Sequence, residues 1–162
     1  MSRDIGLIFP GQGSQHLGML TPDLISNYKD IIQESSDLLD FDFIKLINED
    51  PSNKLNKTSF TQPALLLTSY LHFLNFKDIT NIKPFVVAGH SLGEYTALVA
   101  SNSIDFFDAL NLVRNRGVLM ADVGGVDRFL VPADPYFSSN RDLTSYCFDY
   151  FRCSICQKWA VF

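Results

Sequence analysis

The chain has 162 residues, enough for one domain with a buried core. A formal net charge of -5 and a pI near 5.0 argue against nucleic acid as a partner, because that binding calls for basic patches. The 46% hydrophobic content and mean hydropathy of +0.06 fit a globular protein, no apolar run nears the roughly 20 residues that span a bilayer, and the N-terminus shows no secretory pattern, so a cytoplasmic location is expected.

Ile5 to Phe9 is a short apolar run and predicts a strand, followed by the loop Pro10-Gly11-Gln12-Gly13-Ser14-Gln15. Leu24, Ile25, Tyr28, Ile31, Ile32, Leu38 and Leu39 recur at helical spacing and predict an amphipathic helix. Phe43, Leu46 and Ile47 predict a short second helix, ended by the turn residues Asp50-Pro51-Ser52-Asn53. Thr61 is the expected N-cap of the next helix, with Pro63 in its first turn. That helix carries Leu65, Leu66, Tyr70, Leu71, Leu74 and Phe76, and His72 within it reads as a surface or packing residue. Lys83 and Pro84 lead into a second strand, Val86-Val87-Ala88-Gly89. Ser103-Ile104-Asp105 opens a last helix bearing Phe106, Ala109, Leu110, Val113 and Met120. Strands alternating with helices predict an α/β fold, a parallel sheet with flanking helices. Active sites of such folds gather at the carboxyl ends of the strands, where Gln12 and Ser91 both fall.

The most informative stretch is Gly89-His90-Ser91-Leu92-Gly93, which has the form G-x-S-x-G. An apolar strand precedes it and a helical run, Glu94 to Ala100, follows it. This is the context of a nucleophile elbow. Two glycines let strand and helix approach closely while Ser91 occupies a strained turn with its hydroxyl exposed. The N–H of Leu92 then lies at the start of a helix, where it can face a developing oxyanion. His90 precedes the serine, so its side chain leaves in roughly the opposite direction, which makes it a poor general base.

The loop Phe9-Pro10-Gly11-Gln12-Gly13-Ser14-Gln15 and the run Gly89-His90-Ser91-Leu92-Gly93-Glu94 together resemble the malonyl-CoA:acyl-carrier-protein transacylase family. Thr61-Gln62-Pro63-Ala64-Leu65-Leu66 and Leu112-Val113-Arg114-Asn115-Arg116-Gly117-Val118-Leu119-Met120 fit the same pattern. The resemblance covers about residues 4 to 125. It implies an enzyme that moves a malonyl group from malonyl-CoA to the phosphopantetheine thiol of acyl carrier protein, in fatty-acid synthesis, through a malonyl-serine ester. It implies Ser91 as nucleophile, the backbone N–H groups of Gln12 and Leu92 as the oxyanion hole, and Arg116 as the ligand of the malonyl carboxylate. Gln62 lines the pocket by the same resemblance, and His90 belongs to the motif. No cofactor and no metal are implied. On a helix Arg114 and Arg116 lie about 200° apart, so they do not serve one site, and Arg114 is expected to be a solvated charge.

Beyond Gly124-Gly125 the pattern changes. Residues 126 to 162 hold Cys147, Cys153, Cys156 and Trp159, with Pro132 and Pro135 interrupting any periodicity. The cysteines read as free thiols, since Cys153 and Cys156 lack a second ligand pair for zinc. The expectation is a partial acyltransferase domain over 1–125, lacking the family's small inserted subdomain, and an unrelated tail over 126–162. A frameshift near residue 125 produces such a break, and the competing reading is a divergent native tail. No histidine follows His90, so the family's catalytic histidine has no counterpart here. Alternatives to a transferase are therefore an inactive fragment, or an esterase-type serine hydrolase, which shares the elbow.

Overall fold

The structure, a computed structural model, describes residues 5–124. These fall in one compact unit, Met1–Gly125. The tail beyond it, with its three cysteines, lies outside the described residues.

The order of elements is β1 (Gly6–Phe9), α1 (Pro22–Asn27), α2 (Lys29–Leu39), α3 (Phe43–Asn48), α4 (Thr58–Ile79), β2 (Val86–Gly89), α5 (Leu92–Ala100) and α6 (Phe106–Gly124). The two strands pair in parallel, Gly6 opposite Val86 and Phe9 opposite Gly89. Both carboxyl ends therefore stop side by side. The fold is α/β, with helices packed on the inner face of the sheet, where Phe9, Phe73 and Ala97 form a small apolar cluster. The alternate residues of the same strands face outward: Ile8 is 80% exposed and Val86 54%.

α4 is the axis of the molecule. Every residue from Thr61 to Ser69 is buried, and α5 and α6 pack along it. Over this stretch the helix has no solvent face, and its polar side chains Thr61, Gln62, Thr68 and Ser69 are buried with the apolar ones. Leu66, Leu67 and Leu71 of α4 meet Leu92 of α5 and Leu110 and Val113 of α6 in the main core.

Two local expectations are corrected. The helix expected over Leu24 to Leu39 is broken at Tyr28, whose backbone (φ -126°, ψ 32°) closes α1 and opens α2. Its hydroxyl donates to the Asp78 carboxylate at 2.5 Å. Burial and that carboxylate push the phenol up to about 12. Thr61 is not an N-cap, because α4 begins one turn earlier, at Thr58. Its buried hydroxyl donates instead to the Leu55 carbonyl, 2.6 Å away.

That earlier start places Pro63 inside the helix. A proline has no N–H, so the carbonyl four residues back, that of Ser59, loses its helical partner. Arg114 of α6 fills the gap, donating from Nη1 to Ser59 O at 2.5 Å. Its guanidinium also lies over the Phe60 ring, 4.7 Å from the centroid. Arg114 is thus half-buried and structural, not the solvated charge that the sequence predicts. Gly117 lets the helices come this close: a Cβ there would stand 2.8 Å from Ser59 Cα and from Thr58 O. Arg114→Met should therefore leave the Ser59 carbonyl unpaired and cost about 1–3 kcal/mol. Urea unfolding checks this, and a midpoint equal to that of the unaltered chain would exclude the role.

Candidate active site

β2 ends at Gly89 and α5 begins at Leu92, so only His90 and Ser91 lie between strand and helix. Ser91 holds φ 52° and ψ -104°, a conformation that non-glycine residues seldom adopt. Such strain costs of order 1–3 kcal/mol and persists only where the surroundings impose it. Here they do. Gly93 N–H donates to His90 O at 2.9 Å, and His90 N–H donates to Phe9 O at 3.1 Å. A Cβ on Gly93 would collide with the Phe9 carbonyl, and one on Gly89 with the backbone of Gly93. The turn is pinned between the end of β1 and the first turn of α5.

Ser91 Oγ accepts a hydrogen bond from Arg116 Nη2 at 3.2 Å. Arg116 Nη1 donates to Gln62 Oε1 at 2.8 Å. The guanidinium also lies over the ring of Tyr95, 5.7 Å from the centroid. Three elements thus meet here: the β2–α5 turn, α4 through Gln62, and α6 through Arg116. Arg114, two residues from Arg116, points elsewhere, as the helical angle requires.

Gln12 follows β1 and is exposed. Its Nε2 donates to Thr58 Oγ1 at 3.2 Å, while Gln15 Nε2 donates to Asn56 Oδ1 at 3.0 Å. These bonds tie the loop to the N-terminal end of α4. The His90 imidazole lies beside Gly11, where its Nδ1 would be 2.7 Å from a Cβ on that glycine. His16 Nδ1 donates to Ser14 O at 3.2 Å, and His72 is exposed on α4, hydrogen-bonded to the Met19 backbone. Among the described residues no group of three or more His, Cys, Asp or Glu could hold a metal ion. No helix among them is long and apolar enough to cross a membrane.

Three residues here escaped the sequence reading. Tyr95 lies four residues after Ser91, one turn along α5, and Met120 four after Arg116 on α6, so helical spacing was a usable signal for both. Thr58 had none, because the start of α4 was misplaced.

The site is thus a serine on a strained strand-to-helix turn of an α/β fold, with an arginine reaching it from another helix. Residues 7–130 match the acyl transferase domain family, and the chain belongs to it. It is 46% identical over 122 residues to the malonyl CoA-acyl carrier protein transacylase of Haemophilus influenzae, covering 73% of this chain and 39% of that protein. It is 45% identical over 117 residues to the polyketide biosynthesis malonyl CoA-acyl carrier protein transacylase BaeC of Bacillus velezensis, covering 72% of this chain and 40% of the relative. Among solved structures it resembles the malonyl CoA-acyl carrier protein transacylase of Burkholderia pseudomallei, at 36% identity and a TM-score of 0.72, covering 75% of this chain and 42% of that one. It also resembles a malonyl-transacylase solved in complex with a type II polyketide acyl-carrier protein, at 43% identity and a TM-score of 0.69, covering 75% of this chain and 40% of the other. The chain spans about 40% of the length of these curated relatives.

Proposed function

We propose that this chain carries the acyl-accepting part of a malonyltransferase site. Ser91 Oγ attacks the thioester carbonyl of malonyl-CoA, the C–S bond breaks, CoA leaves as the thiol with the serine proton, and a malonyl-serine ester remains. The phosphopantetheine thiol of an acyl carrier protein then attacks that ester, takes the malonyl group and returns the proton to Ser91. The backbone N–H groups of Leu92 and Gln12 hold the oxyanion of both tetrahedral intermediates. Arg116 binds the malonyl carboxylate, for which its planar fork is suited. The turn around Ser91 acts as a nucleophile elbow. His90 supports the loop from its place beside Gly11. Residues 1–125 form the acyltransferase part and 126–162 a separate tail. The chemistry calls for no cofactor of the chain's own, and the products serve fatty-acid or polyketide synthesis in the cytoplasm.

One observation carries this reading: Arg116, on a helix remote in sequence, donates to Ser91 Oγ. An esterase has no need of a fixed cation beside its nucleophile, whereas a carboxylate-bearing acyl group does. Ser91 also needs a proton acceptor. His16 and His72 are bonded elsewhere and the His90 ring lies beside Gly11, so we infer that the acceptor is none of the three. The 162-residue chain should then accept malonyl groups slowly and turn over little. Intact-mass measurement after exposure to malonyl-CoA, with and without carrier protein, tests both points. Rapid release of malonate to water would instead favour the hydrolase.

Arg116→Ala should lower the preference for malonyl over acetyl groups. Charge-assisted hydrogen bonds are worth about 1.5–3 kcal/mol each, so the ratio should fall roughly 10–100-fold. Competitive labelling with malonyl-CoA and acetyl-CoA measures it. An unchanged ratio would remove Arg116 from the site.

A further inference from the structure

Gln62 is wholly buried, 0% exposed, in the middle of α4's packed face. A buried carboxamide needs partners for both its ends. Its Oε1 accepts from Arg116 Nη1 at 2.8 Å and its Nε2 reaches Met120 Sδ at 3.3 Å. Arg116 and Met120 are four residues apart, so one face of α6 brackets the amide. The orientation of that amide is forced. A guanidinium offers donors alone, so the oxygen must face Arg116, and the NH2 is left with a thioether, a weak acceptor. The strong bond is therefore spent on the arginine. With Nη1 held by Gln62 and the guanidinium over Tyr95, Nη2 is aimed at Ser91 Oγ.

The charge of this partner is as telling as its position. Arg116 is half-buried, and an arginine so placed is commonly held by a carboxylate, which neutralises it. Among the described residues, the groups that Arg116 contacts — a carboxamide, a hydroxyl and an aromatic ring — are neutral. The cation is fixed in place without being cancelled.

We propose that Gln62 is a positioning residue that sets the selectivity of the site for carboxylate-bearing acyl groups: it orients Arg116 toward Ser91 and, being neutral, leaves the arginine's charge for the substrate. This rests on the reading of Arg116 as the carboxylate ligand. Two isosteric variants separate geometry from charge. Gln62→Leu removes the anchor. Gln62→Glu keeps an anchor and adds a competing negative charge.

Two readouts are taken on the 162-residue chain. The first is the ratio of malonyl to acetyl adduct on Ser91 after exposure to an equal mixture of malonyl-CoA and acetyl-CoA. It should fall about tenfold or more in both variants. The second is the 15N guanidinium signal of Arg116, assigned with Arg116→Lys. Slow rotation of the held guanidinium should persist in Gln62→Glu and be lost in Gln62→Leu. A residue that merely fills the core would lower both adducts together and leave the ratio unchanged. An unchanged ratio in Gln62→Glu overturns the proposal while the malonyltransferase reading stands. If the unaltered chain takes no adduct at Ser91, that reading falls. The guanidinium signals then decide Gln62 alone: loss in Gln62→Leu supports its anchoring role, and no change overturns it.

Discussion

Ser91→Ala is expected to abolish covalent labelling by malonyl-CoA, with a fall of at least about a thousandfold, as for other serine nucleophiles. The hydroxyl is half-buried at the carboxyl edge of the sheet and accepts a hydrogen bond from Arg116. The N-terminus of α5 lies directly behind it, so its dipole favours negative charge at the carbonyl being attacked. Ala keeps the Cβ and the backbone, so the fold should be unaffected and the loss attributable to the missing oxygen. Intact-mass spectrometry followed by peptide mapping gives the readout. An adduct of undiminished yield, on another residue, would move the nucleophile elsewhere.

The second large effect is structural. Gly93→Val should destabilise the protein by more than about 3 kcal/mol, the range reserved for severe overpacking. The new Cβ would run into the Phe9 carbonyl and stand 2.9 Å from Pro10 O. These are backbone atoms and cannot rotate aside. Relief requires α5 to draw back from the end of β1, which would break the His90–Phe9 hydrogen bond and open the cluster of Phe9, Phe73 and Ala97. Thermal unfolding with a parallel labelling assay would show both losses. A variant with unchanged melting temperature would mean that the strand and helix are less tightly joined than described.

The G-x-S-x-G turn was legible because its logic is local: two glycines and a serine between an apolar strand and a helix admit few geometries. Placing Gln12 and Ser91 at one edge needed only parallel strands, and these form, Phe9 opposite Gly89. What escaped the sequence was whatever depended on a partner far along the chain. The break at Tyr28 accompanies a bond to Asp78, fifty residues away. Arg114 looked like ordinary surface because the carbonyl it meets is freed by Pro63, on another helix. Thr61 had the chemistry of a cap, yet burial against Leu55 gave its hydroxyl a different use. Propensity is a weak prior wherever tertiary contacts offer a side chain something better.

The proline in α4 couples parts of the molecule in time as well as in space. A helix normally satisfies its own carbonyls as it grows. α4 cannot: the Ser59 carbonyl must wait for Arg114, and Arg114 arrives only when α6 docks. The first turn of α4 therefore frays in any state where α6 is detached. Gln12 and Gln15 hang their loop on Thr58 and Asn56, at or beside that same turn. Gln62, one turn further on, meets Arg116 in the same docking event. The Gln12 loop, Arg116 and Gln62 thus assemble together or not at all, as one cooperative unit whose latch is the docking of a single helix.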